Sequence, residues 1–288
     1  MTAAKPGQAN TTRNRTRGSA RRRKPADPAK AWARRLARYR PGLVEDTLAA
    51  MRQMYGVPVW RRVHDPTSEL ILTILSQNSA DINAERAFDA VRSRWPSARL
   101  RAAGQDETRV NRPGWGGKGI GEDAPPDWAA VAHASLDELI EVIRPGGLAP
   151  QKAPTILAAL TRIAEERGDY SLEFLGKLPP LDALAWLMTI PGIGRKTASV
   201  VLLFSFGMPL MPVDRHVERV SKRIGLIPPK ATALQAHDHY LALLDPERAH
   251  EAHVNLITHG RLTCHALRPA CGRCAIAVRC RYFDRKAP

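Results

Sequence analysis

Lys196, Asp214 and four cysteines are the residues of this 288-residue sequence whose types and spacing could do chemistry. Lys196 stands in Ile190-Pro191-Gly192-Ile193-Gly194-Arg195-Lys196-Thr197-Ala198, just ahead of the apolar run that begins at Ala198. A lysine in the first turn of an apolar helix meets the positive end of the helix dipole and a poorly solvated setting. Both disfavour the ammonium form, which is the condition for a nucleophilic amine. Asp214, in Pro212-Val213-Asp214, brings a carboxylate just past the end of that helix, where it could stabilise a cationic intermediate or move protons. Blander readings fit the same residues: a solvated first-turn lysine, and an aspartate that caps a helix over 215–224.

The cysteines all fall within the last 25 residues, at Cys264, Cys271, Cys274 and Cys280, spaced C-x6-C-x2-C-x5-C. They are too few to staple a chain of this length, and no apolar export segment precedes them, so a metal or iron–sulfur site is favoured over disulfides. A zinc site usually pairs two C-x2-C knuckles, whereas one knuckle with distant outer cysteines suits a [4Fe–4S] cluster. Arg261, Arg268, Arg273, Arg279 and Arg281 lie among these ligands, either to face phosphates or to offset thiolate charge.

The elements that must position these groups read as helices. Apolar residues recur at three- and four-residue spacing over 45–55, 68–76, 84–95, 135–143, 154–166 and 181–190. Asp65 or Ser68 is the expected cap of the second, and Ser135 with Glu138 a capping box for the fourth. Pro191 ends one helix, Gly192 and Gly194 permit a tight turn, and the next helix runs to Phe206-Gly207. Such a hairpin opens onto a helix N-terminus whose amides can seat a phosphate, although a plain interhelical turn has the same composition. No run of alternating β-branched residues appears, so the expected fold class is all-α. Residues 101–128 are rich in Gly and Pro and read as a long loop or insertion, in which Trp115 and Trp128 either touch a ligand or pin the loop.

Charge is unevenly placed. The chain carries 44 Lys and Arg against 28 Asp and Glu, a formal +16, which points to a polyanion partner. The first 40 residues hold 13 of the basic residues and one acid, Asp27. Residues 261–288 hold seven and one acid, Asp284, and the middle is close to neutral. Residues 1–30 lack large hydrophobes and read as a disordered basic tail, either solubilising or a non-specific DNA tether. The most apolar run, Ala198–Val213, is too short and too interrupted by Gly and Pro to span a membrane.

Together, the hairpin with its lysine, Val213-Asp214-Arg215-His216, His259-Gly260-Arg261 and the cysteine spacing closely resemble the endonuclease III family. These are helix-hairpin-helix DNA glycosylases, and the likeness runs over about residues 36–283. The resemblance implies a helical barrel over 66–208 with the 101–128 insertion, and a second domain of 36–65 plus 209–288 carrying a [4Fe–4S] cluster, after a basic tail over 1–35. A DNA cleft would lie between the domains. It implies that Lys196 and Asp214 are catalytic, that Gly192, Gly194 and Arg195 contact DNA, and that Cys264, Cys271, Cys274 and Cys280 ligate the cluster. Leu75–Asp81 resembles the helix end whose amide fills the gap left by an extruded nucleotide, with Gln77 and Asn78 both available for that role; capping of the adjoining helix ends is the bland alternative.

The function implied is excision of a damaged, oxidised pyrimidine from double-stranded DNA, followed by strand cleavage through a lysine imine. Alternatives are a glycosylase for mismatched thymine or uracil on the same fold, or a non-catalytic DNA-binding relative. A monomer located in the cytoplasm is expected.

Overall fold

The computed structural model describes residues 1–2, 27–103 and 124–284. Most of the basic tail, Trp115 and the greater part of the Gly/Pro-rich insertion therefore lie outside the described residues. The first helices are α1 (Pro28–Tyr39), α2 (Leu43–Tyr55), α3 (Pro66–Ser76), α4 (Asp81–Arg94) and α5 (Ala98–Ala103). Beyond the insertion come α6 (Trp128–Ala132), α7 (Leu136–Ile143), α8 (Ala149–Arg167), α9 (Pro180–Leu187) and α10 (Arg195–Phe206). The chain closes with α11 (Arg215–Ile224), α12 (Ala233–Leu243), α13 (Ala249–Leu262) and the single turn α14 (Arg281–Asp284). Among the described residues the only β-type pairing is one bridge between Pro96 and Pro126, so the all-α expectation stands.

The helices start where local chemistry provides acceptors for their first amides. The Asp65 carboxylate accepts from Thr67 and Ser68 at the head of α3, with Pro66 at a position whose missing N–H costs nothing. Ser135 accepts from Glu138 at the head of α7, but the Glu138 carboxylate pairs with Arg94 instead of completing a capping box. One boundary differs from the sequence reading. The basic tail was expected to run to residue 35, yet α1 begins at Pro28, where Asp27 accepts from Ala29 and Lys30. Trp32 and Leu36 explain the shift: the Trp32 indole N–H donates to the Leu226 carbonyl at 2.7 Å and Leu36 is buried in the smaller core, so two side chains anchor an otherwise polar helix.

Apolar side chains gather into two clusters. The larger draws on α3, α4 and α6–α10, from Leu70 to Leu210. The smaller joins Leu36–Met51 to Met211–Cys280, across the whole length of the chain. The two lobes meet between Leu210 and Met211, with α10 in the larger and α13 in the smaller packed together through Phe204 against His250 and His253. Trp128 is buried against Phe88, and Asp127 donates its amide to Trp95, so the insertion departs and returns beside one fixed point. No described helix is long and apolar enough to cross a membrane.

Candidate active site and cysteine loop

The hairpin between α9 and α10 is shaped by its glycines for different reasons. Gly192 has φ +84°, a conformation L side chains rarely adopt, and a Cβ there would lie 2.7 Å from Thr155 Oγ1 on α8. Gly194 has φ −92° and open space around the Cβ it lacks. Its value is access: it caps α10 without a side chain, leaving the first amides of that helix open to approach. Ile193 between them is buried in the larger core and fixes the turn.

Lys196 follows in the first turn of α10, surrounded by charged groups from both lobes. Burial lowers its pKa, while Asp214 and Asp81 push it up; Arg261 adds to the lowering and Glu69 opposes it. Asp214 is the cap of α11, accepting the Val217 amide at 2.7 Å. The two readings of this aspartate are therefore not exclusive, since one residue holds the helix and bears charge toward the lysine. Arg195 turns the other way: its guanidinium pairs with Asp238 on α12 at 2.7 Å and is only 15% exposed. It joins the lobes in this structure.

Gln77 and Asn78 differ in setting. Gln77 caps the end of α3 and donates its amide to the Thr197 hydroxyl at 3.2 Å, next to Lys196. Asn78 is exposed and has φ +51°. The turn is braced from below by Lys152, whose ammonium donates to the carbonyls of Leu75 and Gly146, and by Ser79, which donates to Gly146.

One residue and one pairing of this neighbourhood escaped the sequence reading. His253 on α13 is fully buried, and its Nδ1 pairs with the Pro212 carbonyl at 3.0 Å, two residues from Asp214. Burial lowers its pKa to about 4, so the ring is neutral at pH 7 and Nδ1 carries the proton. Arg261 on α13 pairs with Asp81 on α4 at 2.9 Å. Nothing in local sequence joins positions 180 residues apart.

The four cysteines line one cavity, together with Arg223, His259 and Ile276 among others. Arg223 donates to Cys264 Sγ at 3.4 Å, and the His259 Nε2 edge meets Cys274 Sγ at 3.6 Å. His259 is buried, and its Nδ1 meets the Tyr55 hydroxyl, which also bonds Thr263. Burial raises the pKa of the Cys274 and Cys280 thiols, and neighbouring cysteines raise both further. Anionic sulfur here thus needs compensation by donors and by cations. Among the described residues no three His, Cys, Asp or Glu side chains converge at single-ion spacing; the thiols ring a space instead. Two of the interleaved cations brace the loop: Arg279 holds Asp46 and the Pro41 carbonyl, and Arg273 holds the Leu262 carbonyl.

The hairpin lies inside the segment, residues 71–246, that matches the family profile of the HhH-GPD superfamily base excision DNA repair proteins. The chain belongs to this superfamily. Within it the likeness is to endonuclease III: the Sulfolobus acidocaldarius protein of that name is 30% identical over 214 residues, 74% of this chain and 81% of the relative. The DNA glycosylase/AP lyase ROS1 of Arabidopsis thaliana is 30% identical over 174 residues, 54% of this chain. This chain spans only 9% to 13% of the length of ROS1, the transcriptional activator DEMETER and DEMETER-like protein 2 of Arabidopsis thaliana. The solved structure of a trapped endonuclease III–DNA covalent intermediate superposes with a TM-score of 0.65 at 25% identity, over 84% of this chain and 96% of that one. In the HhH-GPD frame, a lysine amine whose pKa burial lowers, a carboxylate and open helix amides sit at one end of the interface between two lobes. That set can attack a sugar carbon, hold positive charge on it and seat a phosphate.

Proposed function

We propose that this chain is a base-excision DNA glycosylase with AP lyase activity, acting on duplex DNA with oxidised pyrimidines as the substrate class. The observation that carries the proposal is Lys196: a half-buried amine whose environment favours the free base, beside Asp214 and behind an open hairpin. A target base inside a duplex is out of reach, so the nucleotide must be extruded, at a cost that is least for damaged bases. Asn78, exposed on its braced turn, is the amide suited to fill the vacated space, and Gln77, tied to Thr197, is suited to line the pocket.

Lys196 Nζ then forms a bond to C1′ as the bond from C1′ to the base breaks, and the departing base takes the electron pair. Asp214 stabilises the cationic sugar and passes the proton lost from the amine toward the base. The C1′–O4′ bond then breaks as the nitrogen lone pair forms the C=N bond, and O4′ takes a proton from solvent, which gives a protonated imine. Loss of a 2′ proton expels the 3′ phosphate and cuts the strand. The relatives' names, DNA glycosylase/AP lyase and a covalent endonuclease III–DNA intermediate, support this class of chemistry.

Cys264, Cys271, Cys274 and Cys280 would hold a [4Fe–4S] cluster. Four thiols around a cavity, with Arg223 and His259 reaching two of the sulfurs, suit a polynuclear cluster better than one zinc ion. When bound, the cluster supplies cross-linking of the loop that backs α11 and α13.

The test is borohydride trapping on duplexes carrying thymine glycol, an abasic site, G·T or G·U. A covalent adduct that is lost in Lys196→Ala, strongest on thymine glycol, is expected. Adducts confined to G·T and G·U would move the substrate class to mismatches, and no adduct on any duplex would overturn the lyase reading.

A further inference from the structure

We propose that the Asp81–Arg261 ion pair is a latch between the two lobes that couples their closure to the reactivity of Lys196. The inference rests on Lys196 as the nucleophile. Asp81 is the first residue of α4, directly after the Gln77–Ala80 turn, and belongs to the larger lobe. Arg261 lies in the last turn of α13 in the smaller lobe. Their side chains meet at 2.9 Å and are 28% and 42% exposed, so the pair is neither sealed in a core nor fully solvated. Around it, Gln77 bonds Thr197 beside Lys196, and α13 packs on α10 through His253 and Phe204. The pair thus closes the interlobe seam at the lysine end, while Arg195–Asp238 makes a second link from the residue preceding the lysine.

The charges facing Lys196 come from every element around it: Asp214 at the head of α11, Asp81 at the head of α4, Arg261 and the neutral His253 from α13, and Glu69 from α3. Asp81 and Arg261 act on the lysine with opposite sign. Held together they oppose one another; separated, each acts alone. When the lobes part, Arg261 withdraws with α13, while Asp81 stays in the same lobe as Lys196. An uncompensated carboxylate then favours the ammonium, which cannot attack. Closure around DNA brings Arg261 back and restores the free amine. Asp81 and Arg261 are positioning residues in this scheme and touch no reacting atom.

The test is the pH profile of single-turnover borohydride trapping on an abasic-site duplex, for the native chain, Asp81→Asn, Arg261→Gln and the double variant. Attack needs the free base, so a higher lysine pKa moves the rising limb to higher pH. Arg261→Gln should move it up by about half a pH unit or more, and Asp81→Asn down by a similar amount. The double variant should return near the native midpoint, and Arg261→Lys should stay there. A merely structural contact would lower the amplitude of both single variants without opposed shifts, and that result overturns the latch. Thermal melts of each variant identify any that fails to fold; should Arg261→Gln fail, the downward shift of Asp81→Asn against the native chain and Arg261→Lys carries the test, and no shift there overturns the latch. Loss of the adduct in the native chain would overturn the lysine assignment and the latch with it. An adduct whose midpoint does not split between the single variants overturns the latch alone.

Discussion

The Lys152 ammonium donates to the Leu75 carbonyl at 2.5 Å, at the end of the helix that delivers Gln77 and Asn78 to the interlobe seam. Lys152 is only 3% exposed, and its second bond, to Gly146 at 2.9 Å, ties the same turn to the segment ahead of α8. Lys152→Met keeps the stem but strands the Leu75 carbonyl, while Gly146 keeps its bond from Ser79, and the loss costs about 1–3 kcal/mol. Urea unfolding checks that figure. The turn should also loosen, so base excision should fall more than cleavage of preformed abasic sites. Equal losses in the two assays would show that Lys152 serves stability alone.

Asp214 combines a helix cap with a catalytic charge, and substitutions separate the two. Asp214→Asn keeps an acceptor for Val217 and should melt close to the native protein, whereas Asp214→Ala should lose about 1 kcal/mol. Both should lose most excision activity, because both remove the negative charge. An active Asp214→Asn enzyme would leave the residue as a cap only.

The hairpin glycines should respond differently to alanine. Gly192→Ala meets both a positive φ and the Thr155 hydroxyl, and should cost well over about 1 kcal/mol. Adding Thr155→Ala relieves the collision but leaves the backbone strain, so recovery should be partial. Gly194→Ala should cost under about 1 kcal/mol yet weaken DNA binding, since its methyl stands over the open amides. Binding measured by fluorescence anisotropy, with melts in parallel, distinguishes the cases.

Acid should destabilise the fold through buried histidines. Burial lowers the pKa of both His237 and His253 to about 4 in the folded chain, from an ordinary value of 6.5. Between those values the unfolded chain binds more protons, so stability falls as pH drops from about 6.5 to about 4, by up to about 1.4 kcal/mol per pH unit for each ring. His253→Gln should flatten the slope in chemical unfolding followed across that range. An unchanged slope would mean that His253 is already protonated in the fold.

The cysteine loop makes a spectroscopic prediction. The purified protein should be brown, with broad visible absorbance that is lost in Cys274→Ser. A colourless protein containing stoichiometric zinc would replace the cluster by a single-ion site.

Much of the architecture was legible in one dimension, because the signals are local. Three- and four-residue apolar spacing marked α2, α3, α4, α7, α8 and α9 but not α12 or α13, Asp65 and Asp214 announced their caps, and Gly207 ended α10 with the left-handed φ expected of it. The start of α1 was misjudged because its anchor, Leu226, lies 194 residues from Trp32. Composition alone could not separate a polar helix held by one indole and one leucine from a polar tail.

The sequence by itself determined the reactive inventory: an amine at a helix start, a carboxylate at the next, a glycine hairpin and four thiols at unequal intervals. These are properties of residue type and near spacing, which covalent connectivity preserves. Only the tertiary structure decided the environment of each group. It brought Asp81 to Arg261, buried His253 against the carbonyl of Pro212, two residues from Asp214, turned Arg195 toward Asp238 and gathered the cysteines around one cavity. Those outcomes depend on which helix faces pack together, and burial and Coulomb interactions act through space, without regard to distance along the chain.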